Sequence, residues 1–263
     1  MSAQAVVILG MHRSYTTLLA EWLHRNGINM DRPATDSSPL REDVEILQLH
    51  EEVLTAHGMN WLNARKPLAD PDGAFAQRAS RLWEARMSVG LPWGWKDPRT
   101  CIVYDLLYAR RTPPPRLIAV YRNPLEVVTS LYQRELQRRT RRHRLGRYFP
   151  PVMSWHFHRM RQRYLNLYLN CSNYYNLCCL QILEQTPPEG RIVMHGADLL
   201  PNEKKLREKI ETVWRIPLGG VGFAGLRAPS TIGQPIASSQ LRADLWTESQ
   251  RLMRRWRRLA LEV

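Results

Sequence analysis

Arg13, Ser14, Thr16 and Thr17 place one guanidinium and three hydroxyl groups within five residues. Ahead of them an apolar, β-branched run, 5–9, is closed by Gly10; behind them Leu18, Leu19, Trp22 and Leu23 recur at helical spacing up to Gly27. Strand, short polar loop and helix form the arrangement in which free backbone N–H groups at a helix N-terminus meet an anion, above all a phosphate. The loop lacks the G-x-x-x-x-G-K-[ST] pattern of a nucleoside triphosphate P-loop, with its phosphate-binding Lys and metal-binding hydroxyl. It also lacks the two further glycines of a dinucleotide fingerprint. These residues suit a 5′-phosphate held without an obligatory metal. The plain alternative is a strand–helix turn capped by Ser14.

Such a loop needs a scaffold. Short apolar runs at 5–9, 93–96, 117–121 and 191–194 read as buried strands. Helical patterns cover 16–26, 41–56, 74–89, 100–110, 124–139, much of 152–184, 203–214 and 240–261. This alternation predicts an α/β, three-layer, P-loop-like fold with a central parallel sheet flanked by helices. The 263 residues, 44% of them hydrophobic, are expected to form a single domain, 1–263. In the long sixth helix Met160, Tyr164, Leu167, Cys171, Tyr174, Cys178 and Ile182 recur as a core-facing stripe. Residues 31–40 read as a surface loop, and 216–235, rich in Gly and Pro, as a long binding or lid loop.

Two further segments join the loop: Trp93-Gly-Trp-Lys-Asp-Pro-Arg-Thr100, and Arg116-Leu-Ile-Ala-Val-Tyr-Arg-Asn-Pro-Leu-Glu-Val-Val-Thr-Ser130. In order and spacing the three motifs resemble those of the PAPS-dependent sulfotransferase superfamily, in particular its bacterial branch, whose loop reads like Gly-Met-His-Arg-Ser-Gly-Thr-Ser. The resemblance runs from Val6 to about Ser130 and more weakly to the C-terminus. It implies transfer of a sulfuryl group from 3′-phosphoadenosine 5′-phosphosulfate (PAPS) to a hydroxyl or amine, leaving 3′-phosphoadenosine 5′-phosphate, with no metal. It also implies that His12, Arg13, Ser14, Tyr15, Thr16 and Thr17 line the 5′-phosphosulfate and that Arg122 and Ser130 grip the 3′-phosphate. Arg242, in Ser239-Gln-Leu-Arg242, matches an arginine that approaches the nucleotide. Arg13 and Lys96 would stabilise the charge that develops on transfer, Lys96 otherwise reading as a strand-end lysine paired with Asp97.

The resemblance assigns the general base to Glu42, in Pro39-Leu-Arg-Glu-Asp43, with Asp43, Glu45, His50 and His12 as alternatives. There are departures. Pro98 stands where the cytosolic branch has a histidine base, and the Gly-His-Trp ahead of the glutamate is missing. Gly196-Ala-Asp198 replaces Tyr-Glu-Asp after the fourth strand, and Tyr15 replaces a glycine. A side chain at position 15 disfavours positive φ, so a looser loop, or a ring turned to the acceptor pocket, is expected.

Formal net charge is +14, with Arg138, Arg139, Arg141, Arg142 and Arg144 clustered between 134 and 147 and further arginines in the last helix. Such a surface favours anionic partners. Expected partners are an acceptor of open class (glycan, lipid, peptide or small metabolite) and, as a second role for the basic runs, peripheral contact with a membrane surface. The closed α/β core and specific loop argue against nucleic acid. Two readings compete with a sulfotransferase: a P-loop small-molecule kinase, and a non-catalytic basic protein binding nucleotides or nucleic acid. Cys101, Cys171, Cys178 and Cys179 show no disulfide or zinc spacing, and no apolar run reaches membrane-spanning length, so a cytoplasmic location is expected.

Overall fold

The alternation of side chains along the first strand decides the layering. In β1 (Ala5–Leu9), Ala5, Val7 and Leu9 face one side of the sheet and Val6 and Ile8 the other, all buried. A strand buried on both faces belongs in a parallel sheet covered by helices on each side. The structure, a computed structural model, describes residues 3–31, 41–144, 159–226 and 234–260. Its sheet has the order β2 (Trp93–Lys96), β1, β3 (Arg116–Tyr121), β4 (Arg191–His195), with every neighbouring pair parallel. The expected three-layer α/β fold is the one observed, and each strand ends within one residue of its predicted limits.

The helices are α1 (Thr16–Arg25), α2 (Val44–Ala56), α3 (Ala74–Met87), α4 (Thr100–Leu107), α5 (Pro124–Arg144), α6 (Arg161–Gln185), α7 (Glu203–Glu208) and α8 (Ala243–Ala260). On one face of the sheet, Leu19, Trp22 and Leu23 of α1, with Leu206 of α7 and Ile210 and Trp214 beyond it, pack on Val6, Ile8, Ile118 and Val120. The opposite face carries α2 to α6 and α8. The chain moves one way across the sheet from β1 to β2 and the other way from β1 to β3 and β4. The carboxyl ends of β1 and β3 therefore flank a topological switch point, where open α/β sheets place their ligands. The loop at Gly10 and residue Arg122 both lie there.

Several sequence expectations need correction. α4 ends at Leu107 rather than 110, and α7 ends at Glu208 rather than 214, the chain continuing as a π-helical turn over Lys209–Val213. The α6 stripe holds only in part: Cys171, Cys178 and Ile182 are buried as expected, but Leu167 is 38% exposed and Tyr164 and Tyr174 are half-buried, while Leu165, Leu169, Tyr175 and Cys179 are buried as well. With apolar residues nearly all round, α6 gives no single stripe to read. α5 runs on to Arg144, past the expected end at 139, carrying much of the basic run as helix. α2 begins at Val44 rather than 41, because Asp43 caps it by accepting a hydrogen bond from the Ile46 N–H (3.1 Å). The expected loop 31–40 beyond Asp31, the N-terminal part of the sixth helix and residues 227–233 of the Gly-Pro loop lie outside the described residues. All four cysteines are buried and free.

The start of α2 is fixed twice. The buried Asp43 carboxylate also receives Arg86 of α3 through two hydrogen bonds (2.7 and 2.8 Å), and both side chains are 2% exposed. Removing one member of a buried ion pair strands the other without solvent. Arg86→Met is expected to lower stability by about 3–5 kcal/mol in urea unfolding; a loss below about 1 kcal/mol would mean that water replaces the guanidinium.

Candidate active site

The loop after β1 is tightly wound. Gly10 (φ 153°) passes so close to the Val120 carbonyl that a Cβ would collide with it. Arg13 (φ 70°) and Tyr15 (φ 66°) both take the left-handed conformation, which costs a non-glycine residue about 1–3 kcal/mol. The looser loop expected from Tyr15 does not occur. Its ring rests on Gly196, where a Cβ would strike it, and the Arg122 guanidinium stacks on it, 4.5 Å from the ring centre. Tyr15, not Ser14, is the N-cap of α1, and its side chain makes no capping hydrogen bond, so the plain Ser14-capped turn is not formed. The first N–H groups of α1 and the positive end of its dipole face the loop. Ser14 and Thr16 are buried there and Thr17 is half-buried.

Arg13, Ser130 and Arg122 come together across this loop. Arg13 Nε donates to Ser130 Oγ (2.7 Å), and Arg122 Nη1 donates to the Arg13 carbonyl (3.0 Å). Arg122 Nε also pairs with Glu126, one turn into α5 (2.6 Å). Burial, then the charges of Arg134 and Arg122, pull the Arg13 guanidinium below its ordinary pKa. Such a cluster of cations is eased by an anion. Arg242 does not join it: its guanidinium is exposed and bound to Asp244. Its segment nevertheless returns to α5, where the Ile236 N–H donates to Thr129 Oγ1 (3.0 Å).

At the end of β2, Lys96 donates to Glu42 rather than to Asp97. Glu42 is held between two anchored neighbours. Arg41 bonds Glu21 of α1 (2.6 Å) and Asp31 (3.3 Å), and Asp43 is locked by Arg86. Asp97 is buried and receives His50 Nδ1 (2.7 Å), the Arg99 N–H (3.0 Å) and Arg99 Nε (3.0 Å). Burial alone would raise its carboxyl, but the hydrogen bond from His50 and the charges around it prevail and hold it well below the carboxylate range. An ionised Asp97 requires the proton on His50 Nδ1, leaving Nε2 to meet the Tyr108 hydroxyl (2.8 Å). Sequence reasoning missed this Tyr108–His50–Asp97–Arg99 chain; the Arg122–Glu126 pair, by contrast, carries a local signal in its i, i+4 spacing.

The alternative bases separate on geometry. Asp43 is committed to Arg86 and the helix cap. Glu45 is mostly exposed and also binds Arg86 (2.9 Å). His50 is fully buried. His12 lies beside Trp61, ring centres 5.0 Å apart, and its buried Nε2 has no hydrogen-bond partner among the described residues. Burial lowers its imidazole from 6.5 to about 4; Asp97 opposes this, and Lys96, Arg134 and Arg99 add to it. Among the described residues no three metal-ligating side chains gather into a metal site, and no helix is long and apolar enough to cross a membrane.

No protein-family model and no curated protein matches the sequence. Solved structures do match the fold. A sulfotransferase from Alicyclobacillus acidocaldarius is similar at 13% identity with a TM-score of 0.51, over 99% of this chain and 96% of that one. A sulfotransferase from Mycobacterium avium shows 16% identity and a TM-score of 0.47, over 97% of this chain and 68% of that one. A sulfotransferase domain from the curacin biosynthetic pathway shows 16% identity and a TM-score of 0.44, over 96% of each chain. The first of these likenesses establishes the architecture: the chain has an α/β fold found in sulfotransferases.

The neutral His12 and the ionised Asp97 give the molecule an acid-sensitive stability. The unfolded chain takes up the His12 proton near pH 6.5 and the folded chain only near 4, so the folded state binds fewer protons in between. That contribution is full above pH 6.5 and is lost as pH falls from 6.5 to 4. Asp97 adds a further loss below about pH 3.9, where an unfolded aspartate protonates. Urea unfolding at about pH 7 and about pH 4.5 should show lower stability at the acid value, and His12→Phe should narrow the difference. An unchanged difference would mean that His12 is open to water.

Proposed function

We propose that this chain is a sulfotransferase using PAPS as donor. One observation carries the reading: the N-terminus of α1, the Arg13–Ser130–Arg122 cluster and the Lys96–Glu42 pair converge on the carboxyl edge of one sheet. The residues fit the donor. The loop and α1 offer N–H groups to a 5′-phosphosulfate, and Arg122 with Ser130 offers a cation and a hydroxyl to a second phosphate.

The bound donor supplies a sulfuryl group attached to a phosphate leaving group. Arg13 and the α1 N–H groups hold that phosphate and neutralise the charge it gains as the sulfur–oxygen bond breaks. Lys96 brings a positive charge to the transferred group and keeps Glu42 beside it. Glu42 takes the proton from the acceptor hydroxyl or amine as that atom bonds to sulfur. Glu42 is favoured over His12 because it is 20% exposed and meets Lys96 directly, whereas the His12 Nε2 is enclosed. Burial of the Asp97 network fixes the β2–α4 turn and with it the height of Lys96.

Thermal unfolding with added nucleotide tests the donor. 3′-Phosphoadenosine 5′-phosphate should raise Tm, and ATP or GTP with Mg²⁺ should do so far less; equal stabilisation by a triphosphate would favour the small-molecule kinase. Glu42→Gln should leave nucleotide affinity intact and lower turnover by about 10²–10⁴-fold. Lys96→Ala should also slow turnover, whereas Arg122→Ala should mainly weaken nucleotide binding. Near-normal turnover of Glu42→Gln would pass the role of base to His12.

A further inference from the structure

One cation at the site has no part in the scheme above. Ser130 faces the phosphate loop, since its Oγ accepts the Arg13 hydrogen bond. Arg134 follows one helical turn later on α5, at i+4, and so projects from the same face. It is exposed, and among the described residues it makes no hydrogen bond or ion pair. Its charge reaches both Arg13 and His12. His12 also feels Lys96 and Arg99, so the charges around this edge of the site are of one sign.

The acids of this region are already engaged: Glu42 by Lys96, Asp97 by His50 and Arg99, Glu126 by Arg122 and Glu135 by Arg138. The His12 ring carries no charge at neutral pH, so it neither repels nor neutralises a neighbour. Arg134 is thus a cation set among cations, one helical turn beyond Ser130, and among the described residues no carboxylate pairs with it. Bringing an anion there relieves like-charge repulsion and makes a charge-assisted, bidentate contact.

We propose that Arg134 receives an anionic group carried by the acceptor, so that the substrate is an alcohol or amine bearing a carboxylate, phosphate or sulfate. The proposal rests on the sulfotransferase reading and adds the acceptor's charge class to it. The donor's phosphates occupy Arg13, Arg122 and Ser130, and Arg134 serves the other substrate.

The test uses the full chain saturated with 3′-phosphoadenosine 5′-phosphate and titrated calorimetrically with two matched pairs, phenyl phosphate against phenol and benzoate against benzyl alcohol. The anionic member of at least one pair should bind the saturated wild type and its neutral counterpart should not. Arg134→Gln should weaken that anion by about tenfold or more while changing the nucleotide affinity by less than about threefold, and Arg134→Lys should recover part of the loss. The proposal is overturned if neither anion binds the saturated wild type, if Arg134→Gln binds it equally well, or if that variant loses the nucleotide instead, which would give Arg134 to the donor. Failure of the nucleotide to bind the wild type is a separate result: it removes the sulfotransferase reading, and this proposal with it.

Discussion

Burying a carboxylate away from water is costly unless donors surround it, and Asp97 meets that demand from two directions at once. His50 reaches it from the middle of α2, and Arg99 reaches it with both backbone and side chain from the turn that opens α4. Tyr108, at the far end of α4, closes the chain on His50. The requirement to satisfy one anion therefore ties α2 to the end of β2. Glu42 stands just ahead of α2 and Lys96 just ahead of Asp97, so the register of their contact follows from a group that touches neither the donor nor the acceptor site. The same satisfaction of buried acids recurs at Asp43 with Arg86, which ties the start of α2 to α3.

Much of the fold was legible because its signals are local. The strands are β-branched or aromatic runs of five residues or so, and a strand buried on both faces needs little context to be read. The loop after β1 was legible from its residue types. Choices between partners were not. Asp97 was the plain alternative partner read for Lys96, yet adjacent residues leaving a strand point to opposite sides. Lys96 accordingly turns to Glu42, 54 positions away, and Asp97 turns inward. Tyr15 was read by backbone preference alone, and what overrides that preference, a bare backbone at Gly196 and the Arg122 guanidinium, lies more than 100 residues further on. Arg242 was placed by similarity of a short string, and its own neighbour Asp244 takes its charge.

The large positive charge of the chain is also unevenly spent. Arg41, Arg86, Arg99 and Arg122 are engaged by carboxylates, and they serve to fix loops and helix starts. In α8, Leu252, Trp256 and Leu259 are buried and Trp256 stacks on Tyr121 of β3, 5.2 Å between ring centres. The apolar side of that helix is thus committed to the core. Arg251 and Arg258 point outward at 68% and 70% exposure, while Arg255 bonds Glu184 of α6 (2.6 and 3.0 Å). Any attraction of this face to an anionic surface is electrostatic and weakens with salt.

The contact of Tyr15 with Gly196 joins two departures from the resembling family that looked unrelated in the sequence: a ring where the loop has glycine, and glycine where the segment after β4 has a ring. In space they are one arrangement, since the ring lies where a Cβ at 196 would be. A side chain at 196 has no room while the ring is present, and a glycine at 15 uncovers the flank of Arg122. Substitution at one position thus changes what the other can accept. The two positions are coupled through one contact, so a side chain at 196 fits only where the residue at 15 is small, and a small residue at 15 leaves a gap beside the Arg122 guanidinium.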